Sequence, residues 1–284
     1  MSHTRTARTA QATSSTDEKS HTVTINFTAP TSWQELSQEQ LRYVLKLLTM
    51  YADRTAIKTM MFVRFCGLDI QKRTRYGWKC LITVDGKKRV VYLQSWQVQS
   101  FIHQFDFIDT YEDMDCRLDA VCGLVAVDPL LHEVSFGDYL MAEKYYQIYL
   151  STKDDEMLDH LACWLYVDAN GLHPGQERGS LRNDTEMVLK PEERLGTLAW
   201  YSHVKKVLFD RFPNFFQKVD GEDGDFTVTG RQIEEQYNIQ LRALTDGDPT
   251  KESAVLALDC WRAITELDAK AREAEELEKM RNKQ

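Results

Sequence analysis

The run WKCLITVDGKKRVVYLQ, Trp78 to Gln94, decides how the chain is read. Two β-rich stretches, Trp78–Val84 and Arg89–Leu93, flank Asp85-Gly86. That dipeptide suits a two-residue hairpin, because the favoured turn needs positive φ at its central positions. Most of the remaining sequence has the 3.6 period of helices, so the hairpin sets the class as α+β, mostly α-helical, with a small N-terminal antiparallel sheet followed by a helical bundle. Upstream, TVTINFT alternates Val23, Ile25 and Phe27 with polar neighbours, the period of a half-buried strand, and Pro30 ends it. The expected sheet joins this strand directly to the hairpin. Three strands with a helix on one face meet the minimum for independent stability.

Between strand and hairpin lies TSWQELSQEQLRYVLKLL (Thr31–Leu48), with two overlapping capping signals, Ser32 with Glu35 and Ser37 with Gln40. Leu41, Val44, Leu45 and Leu48 form a stripe, so a helix is expected from about Gln38 to Ala52, with Trp33 packing back onto it. A second helix is expected over Thr55–Cys66, with Ile57, Met60, Met61 and Phe65 inward and Gly67 as its stop. Ser95 reads as the cap of a short helix carrying Trp96, Phe101, Ile102 and Phe105.

Beyond residue 107 the strand signal fades. LDAVCGLVAVDPLL (Leu118–Leu131) is open between helix and buried strand. Further helices are expected in SFGDYLMAEKYYQIYL with Asp138 as cap, and in DDEMLDHLACWLY with Leu158, Leu161, Ala162 and Leu165 on one face. Others are expected over Pro191–Phe212 and in TGRQIEEQYNIQLRAL with a Thr229/Gln232 capping box. The last begins at Asp248 and runs on through Leu258, Trp261, Ile264 and Leu267 into a charged extension. The division that follows is a disordered tail (1–22), an α+β region with a basic hairpin (23–106), a helical region with a mobile loop at 168–190 (107–270), and a charged helical tail (271–284).

An apolar fraction of 43% and a charged fraction of 28% are ordinary for a globular chain of 284 residues. A net charge of −9 argues against global binding to nucleic acid or anionic membrane and leaves a local basic site open. No apolar run of membrane-spanning length occurs. The first 22 residues lack an apolar signal core, and their basic, Thr/Ser-rich composition fits a disordered tail better than a transit peptide. Six cysteines without a CxxC pair fit buried reduced thiols in a cytoplasmic protein.

The clearest anomaly is electrostatic. Arg64, Lys72, Arg73, Arg75, Lys79, Lys87, Lys88 and Arg89 face only Asp69 and Asp85, eight cations against two carboxylates, net +6. Tyr76 and Trp78 lie among them. The candidate binding residues are therefore Lys72, Arg73, Arg75, Tyr76, Trp78, Lys79, Lys87, Lys88 and Arg89. Such a hairpin can meet phosphates and stack on bases. It can equally protect an edge strand, or dock onto an acidic surface such as Asp106, Asp109, Glu112, Asp113 and Asp115, on a protein partner or another copy of the chain.

Other chemistry is weaker. VDGEDGDF (Val219–Phe226) places no acidic ligands in register for a calcium loop. His160 and Cys163 stand one turn apart without a second ligand pair for zinc. GxSxG, P-loop, HExxH, kinase and GxGxxG patterns are absent. No catalytic residue, metal or cofactor is expected, although an enzyme with a dispersed site near His173 stays open.

Four segments carry a family likeness: TSWQELSQEQLRYVLKLL, SFGDYLMAEKYYQIYL, the DHLACWLY that follows it, and GDPTKESAVLALDCWRAITEL. They resemble proteins of phage and prophage structural modules. The middle pair is similar to a helical pattern in tail or baseplate assembly proteins. The resemblance implies a non-enzymatic assembly or adaptor protein working by protein–protein contact or self-association, cytoplasmic or incorporated into a virion or tail. It covers about half the chain and supplies no site residues. The runner-up expectation is a nucleic-acid-binding accessory protein using the hairpin of residues 64–89. No membrane partner is expected.

Overall fold

The computed structural model describes residues 8–14, 21–27, 29–84, 86–111, 114–174, 187–216 and 230–282. It divides into two compact units, Met1–Asp113 and Met114–Gln284. The boundary falls seven residues beyond the one expected at 106, because Asp106, Asp109 and Thr110 bond back to Lys58 and Trp33 in the first unit.

In the first unit the strands β1 (Arg8–Ser14), β2 (His21–Phe27), β3 (Asp69–Thr74), β4 (Gly77–Val84) and β5 (Lys87–Gln94) form one antiparallel sheet in the order β2-β1-β5-β4-β3. The α+β, mostly helical class holds, with two corrections to the sheet. The segment expected as a disordered tail supplies β1, which pairs with β2 along all seven residues and meets β5 at Thr13↔Tyr92. The expected β2–hairpin contact is thus replaced by β1. The stretch DIQKRT, to which the sequence pattern assigns no element, is the edge strand β3.

The hairpin register is continuous from Val84↔Lys87 to Gly77↔Gln94. Its alternation sends Cys80, Ile82, Val91 and Leu93 inward, where all four are buried. Helices α1 (Gln38–Met50), α2 (Arg54–Phe65) and α3 (Ser95–Ile102) supply the other side of the core. Phe62 stacks on Phe101 at 5.0 Å, Phe27 meets both edge-on, and Trp78 approaches Phe62 at 6.4 Å. Of the two capping signals before α1, Ser37 and Gln40 close a capping box, while Ser32 makes no cap bond. Leu41, Val44 and Leu45 are buried, together with Leu47, and Leu48 is only half-buried. Trp33 packs against the segment after α3: it lies against Phe107 and Tyr111, and its indole N–H donates to the Thr110 carbonyl. Gln94, not Ser95, caps α3.

Lys58 is buried in α2, and its ammonium reaches Asp106 at 2.5 Å and Asp109 at 2.6 Å. Burial alone would lower its pKa, but the two carboxylates outweigh it and hold the value above the ordinary one. Of the acidic residues considered as a docking surface, Asp106 and Asp109 pair with Lys58 while staying about half exposed, Asp115 is exposed, and Glu112 and Asp113 lie outside the described residues.

The second unit is built on α4 (Phe136–Thr152), α5 (Glu156–Leu165), α6 (Pro191–Arg211), α7 (Gly230–Thr245), α8 (Glu252–Leu256) and α9 (Cys260–Arg281). It also holds a small sheet, β6 (Ala120–Val121), β7 (Leu124–Ala126) and β8 (Tyr166–Val167), so the 107–270 region is not purely helical. Cys122 and Gly123, at φ of 48° and 79°, turn β6 into β7 and settle the ambiguous run as a hairpin. Ser135 rather than Asp138 caps α4, its hydroxyl accepting the Asp138 N–H. The expected last helix is broken. Leu258 and Cys260 exchange backbone hydrogen bonds with Phe136 and Val134, and Asp259 caps α9 while also accepting the Glu133 N–H. Leu158, Leu161, Ala162 and Leu165 are all buried.

Of the 168–190 loop, Asp168 accepts the Asn170 and Leu172 N–H groups in a tight turn and Leu189 is buried; residues 175–186 lie outside the described residues. So do the acidic run 219–226 and Thr229.

Candidate functional site

The register places the basic residues one by one. Across β3, β4 and β5 a row runs Lys72, Lys79, Tyr92 on the face opposite the core. A β-bulge between Ile70 and Lys72 makes this possible, letting Ile70 face inward beside Cys80 while Lys72 stands opposite Lys79. Two ammonium groups directly across a strand pair repel, at up to about 1 kcal/mol. No carboxylate among the described residues pairs with either.

This row forms one wall of a groove of about 500 Å³, lined also by Tyr76, Gly77 and Gln94. Gly77 forms its floor. A methyl group there would sit 2.1 Å from the Leu93 carbonyl oxygen, so the close approach of β4 to β5 requires glycine. The turn of Arg75 and Tyr76 between β3 and β4 is tied to the head of α3: the Ser95 N–H donates to the Tyr76 carbonyl at 3.0 Å and its hydroxyl to the Arg75 carbonyl at 3.3 Å. Thr74 adds a hydroxyl bond to the Gly77 carbonyl. Two exposed rings line the groove, Tyr76 at 72% exposure and Tyr92 at 38%, and Trp96, 65% exposed, is joined to it through Gln94. The Arg75 guanidinium lies 4.9 Å from the Tyr76 ring and the Lys79 ammonium 6.0 Å from Tyr92. The Trp96 indole N–H donates to Gln94 Oε1, which fixes ring and amide together.

Of the sequence-derived candidates, Lys72, Tyr76, Trp78 and Lys79 line the groove and Arg75 lies beside it. Arg73 pairs with Trp78 at the edge of the core face, its guanidinium 5.0 Å from the indole. Lys87, Lys88 and Arg89 sit at the other end of the hairpin, opposite Val84, Thr83 and Ile82. At about 3.4 Å per residue along the strands, Arg89, Lys88 and Lys87 stand roughly 10, 14 and 17 Å from the Lys79–Tyr92 pair. The single basic hairpin of the sequence is thus two separate cationic ends. Tyr92, Gln94, Trp96 and Gly77 are site residues that sequence reasoning missed. Burial under the sheet pushes the Cys80 thiol up to about 11, against the pull of Arg73, so it adds no nucleophile.

Elsewhere, His173 is buried, with Nδ1 3.3 Å from the Tyr166 carbonyl and Nε2 3.5 Å from Asp138. His160 stacks on Tyr145 and Cys163 is buried, and no metal-holding cluster occurs among the described residues. No helix among them is long and apolar enough to cross a membrane. Charge differs between the units. Up to Asp113 there are 15 Lys and Arg against 11 Asp and Glu, net +4; beyond it there are 20 against 33, net −13. The chain matches no protein family, no curated protein and no solved structure.

Proposed function

We propose that the first unit binds nucleic acid through the groove at the β3 edge of its sheet. The observation that carries this reading is Lys72 opposite Lys79 beside exposed aromatic rings. Lys72 alone could protect the edge strand β3, but two facing lysines repel and gain from a phosphate between them. The test is fluorescence anisotropy of the full chain with labelled oligonucleotides across a salt series. Binding falls as salt rises, and the Lys72→Glu/Lys79→Glu double variant weakens it at least about tenfold and reduces the salt slope by roughly 0.7 per lost phosphate contact. Absence of binding at the lowest salt removes the reading.

A second reading, a non-enzymatic phage-derived assembly or adaptor protein, acting in the cytoplasm or within a tail or virion, draws on the likeness of the four helical segments and on α9. Buried positions in α9 end at Leu267, yet Leu277 and Met280 follow at 65% and 58% exposure, one turn apart on a charged helix. Apolar pairs on such a helix suit a partner helix. Light scattering on the purified chain and pull-downs with products of neighbouring genes test it. A strict monomer that captures none of them ends it.

A further inference from the structure

We infer that the groove selects single strands: its occupant is an unpaired polynucleotide whose bases stack on Tyr76, Tyr92 and Trp96 while Lys72, Arg75 and Lys79 meet the phosphates. The inference rests on the nucleic-acid reading and goes beyond it. A duplex shows a binding surface its phosphates, with its base faces covered by neighbouring pairs, so cations suffice to hold it. Exposed ring faces add nothing there. On a single strand each open base face can stack on an aromatic ring, worth most of the affinity beyond charge.

Here the rings are open and are also held in place. Tyr76 sits on a turn fixed by Ser95 and Thr74, and Trp96 is pinned through Gln94, so little freedom is lost on stacking. Tyr76 and Tyr92 each have a cation over one face, which leaves the other face for a base and puts a phosphate contact next to a stacking contact, the repeat that a polynucleotide presents. The groove volume of about 500 Å³ is in the range of a small-molecule cleft, room enough for an unpaired base. Edge protection accounts for Lys72 but gives Tyr76 and Trp96 no reason to be exposed.

The experiment compares the full chain bound to labelled oligothymidine, to the matching oligouridine, and to a duplex of equal phosphate count, with inorganic polyphosphate as competitor. The DNA and RNA arms show which backbone is preferred. The single strand binds at least about tenfold tighter than the duplex, and polyphosphate displaces the duplex more readily than the single strand. Tyr76→Ala and Trp96→Ala each weaken single-strand binding roughly tenfold, leave the duplex affinity and salt slope unchanged, and Tyr76→Phe restores it. Both positions are exposed, so thermal melts of the variants match the parent. Equal affinity for single strand and duplex, or alanine variants that weaken both alike, overturns strand selection while leaving the nucleic-acid reading intact. Binding to none of the probes overturns both.

Discussion

In the second unit the Asp159 carboxylate takes the Arg194 guanidinium by two hydrogen bonds, at 2.9 and 2.6 Å, and also accepts the Leu189 N–H. In the first, Lys72 and Lys79 stand side by side with no carboxylate among the described residues to meet them. The same contrast recurs. Glu143, in α4, accepts from Lys205, the Tyr201 hydroxyl and the Gln147 amide, while Asp268 gathers the Asn214 side chain and two backbone N–H groups. A buried charge is tolerated only when paired and hydrogen-bonded. An exposed charge left opposite its like is tolerated at a cost in stability, which an external ligand can offset. The second unit therefore uses these charges for its own cohesion, and the first presents them.

The largest effect expected from breaking this contrast is in the second unit. Asp159→Ala strips Arg194 of its bidentate partner and leaves the Leu189 N–H without its acceptor. Both side chains are mostly buried, at 10% and 21% exposure, so the loss is about 3 kcal/mol, the low end for breaking a buried pair. Urea unfolding reads it as a lowered midpoint, and nucleic-acid binding by the first unit is unchanged at urea concentrations below the transition.

The next effect runs in opposite directions for stability and binding. Lys72→Glu puts a carboxylate opposite Lys79 and replaces a repulsive cross-strand pair by an attractive one, a gain of about 0.5 kcal/mol in folding. The same change places a negative charge in the groove and weakens oligonucleotide binding about tenfold. A variant that loses both would mean that Lys72 is structural.

Lys58 separates an internal cation from a presented one. Its hydrogen bond holds the Asp106 carboxyl below the usual carboxylate range. A depressed acid contributes stability above its ordinary value near 3.8 and loses it as pH falls through the lowered value. Lys58 itself is raised, so its contribution is intact below about 10.5 and lost only above that. Compared with Lys58→Met, the parent is more stable through the neutral range, by an amount that shrinks below roughly pH 4. An advantage that persists undiminished at pH 2 would show that packing of the lysine stem, not its ion pairs, is what matters.

How much of this was legible depends on whether the signal was local. The two-residue turn at Asp85-Gly86 already sets Lys79 opposite Tyr92 by counting outward from Val84 and Lys87, so that part of the site could have been read from the sequence. β3 could not, since its stretch DIQKRT has one apolar residue and owes its order to pairing with β4. The same holds for β1 in RTAQATS, which reads as tail until its neighbours are known. The break before α9 is invisible because the apolar stripe runs through it. Its cause, backbone pairing of residues 258–260 with 134–136, acts over a sequence separation no periodicity can report. The cap of α4 was a local choice within SFGD, and the serine, three residues before the acid, has the capping-box spacing.

The smallest effect sharpens the contrast between the two cationic ends of the hairpin itself. Lys87, Lys88 and Arg89 are exposed and add to the field of the first unit, but at roughly 10 to 17 Å along the strands none of them lines the groove. At physiological ionic strength the screening length is about 8 Å, so replacing all three by glutamate changes oligonucleotide affinity by less than about threefold. At 0.01 M salt it lengthens to about 30 Å, and the same triple variant then weakens binding and slows association severalfold. Lys79→Glu behaves otherwise, losing affinity at both salt concentrations because a contact is removed and not only a field. Stopped-flow association rates and equilibrium anisotropy at the two concentrations separate the cases. If the triple variant abolishes binding at physiological salt, the ligand lies on the Lys87–Arg89 end and the groove is not its site.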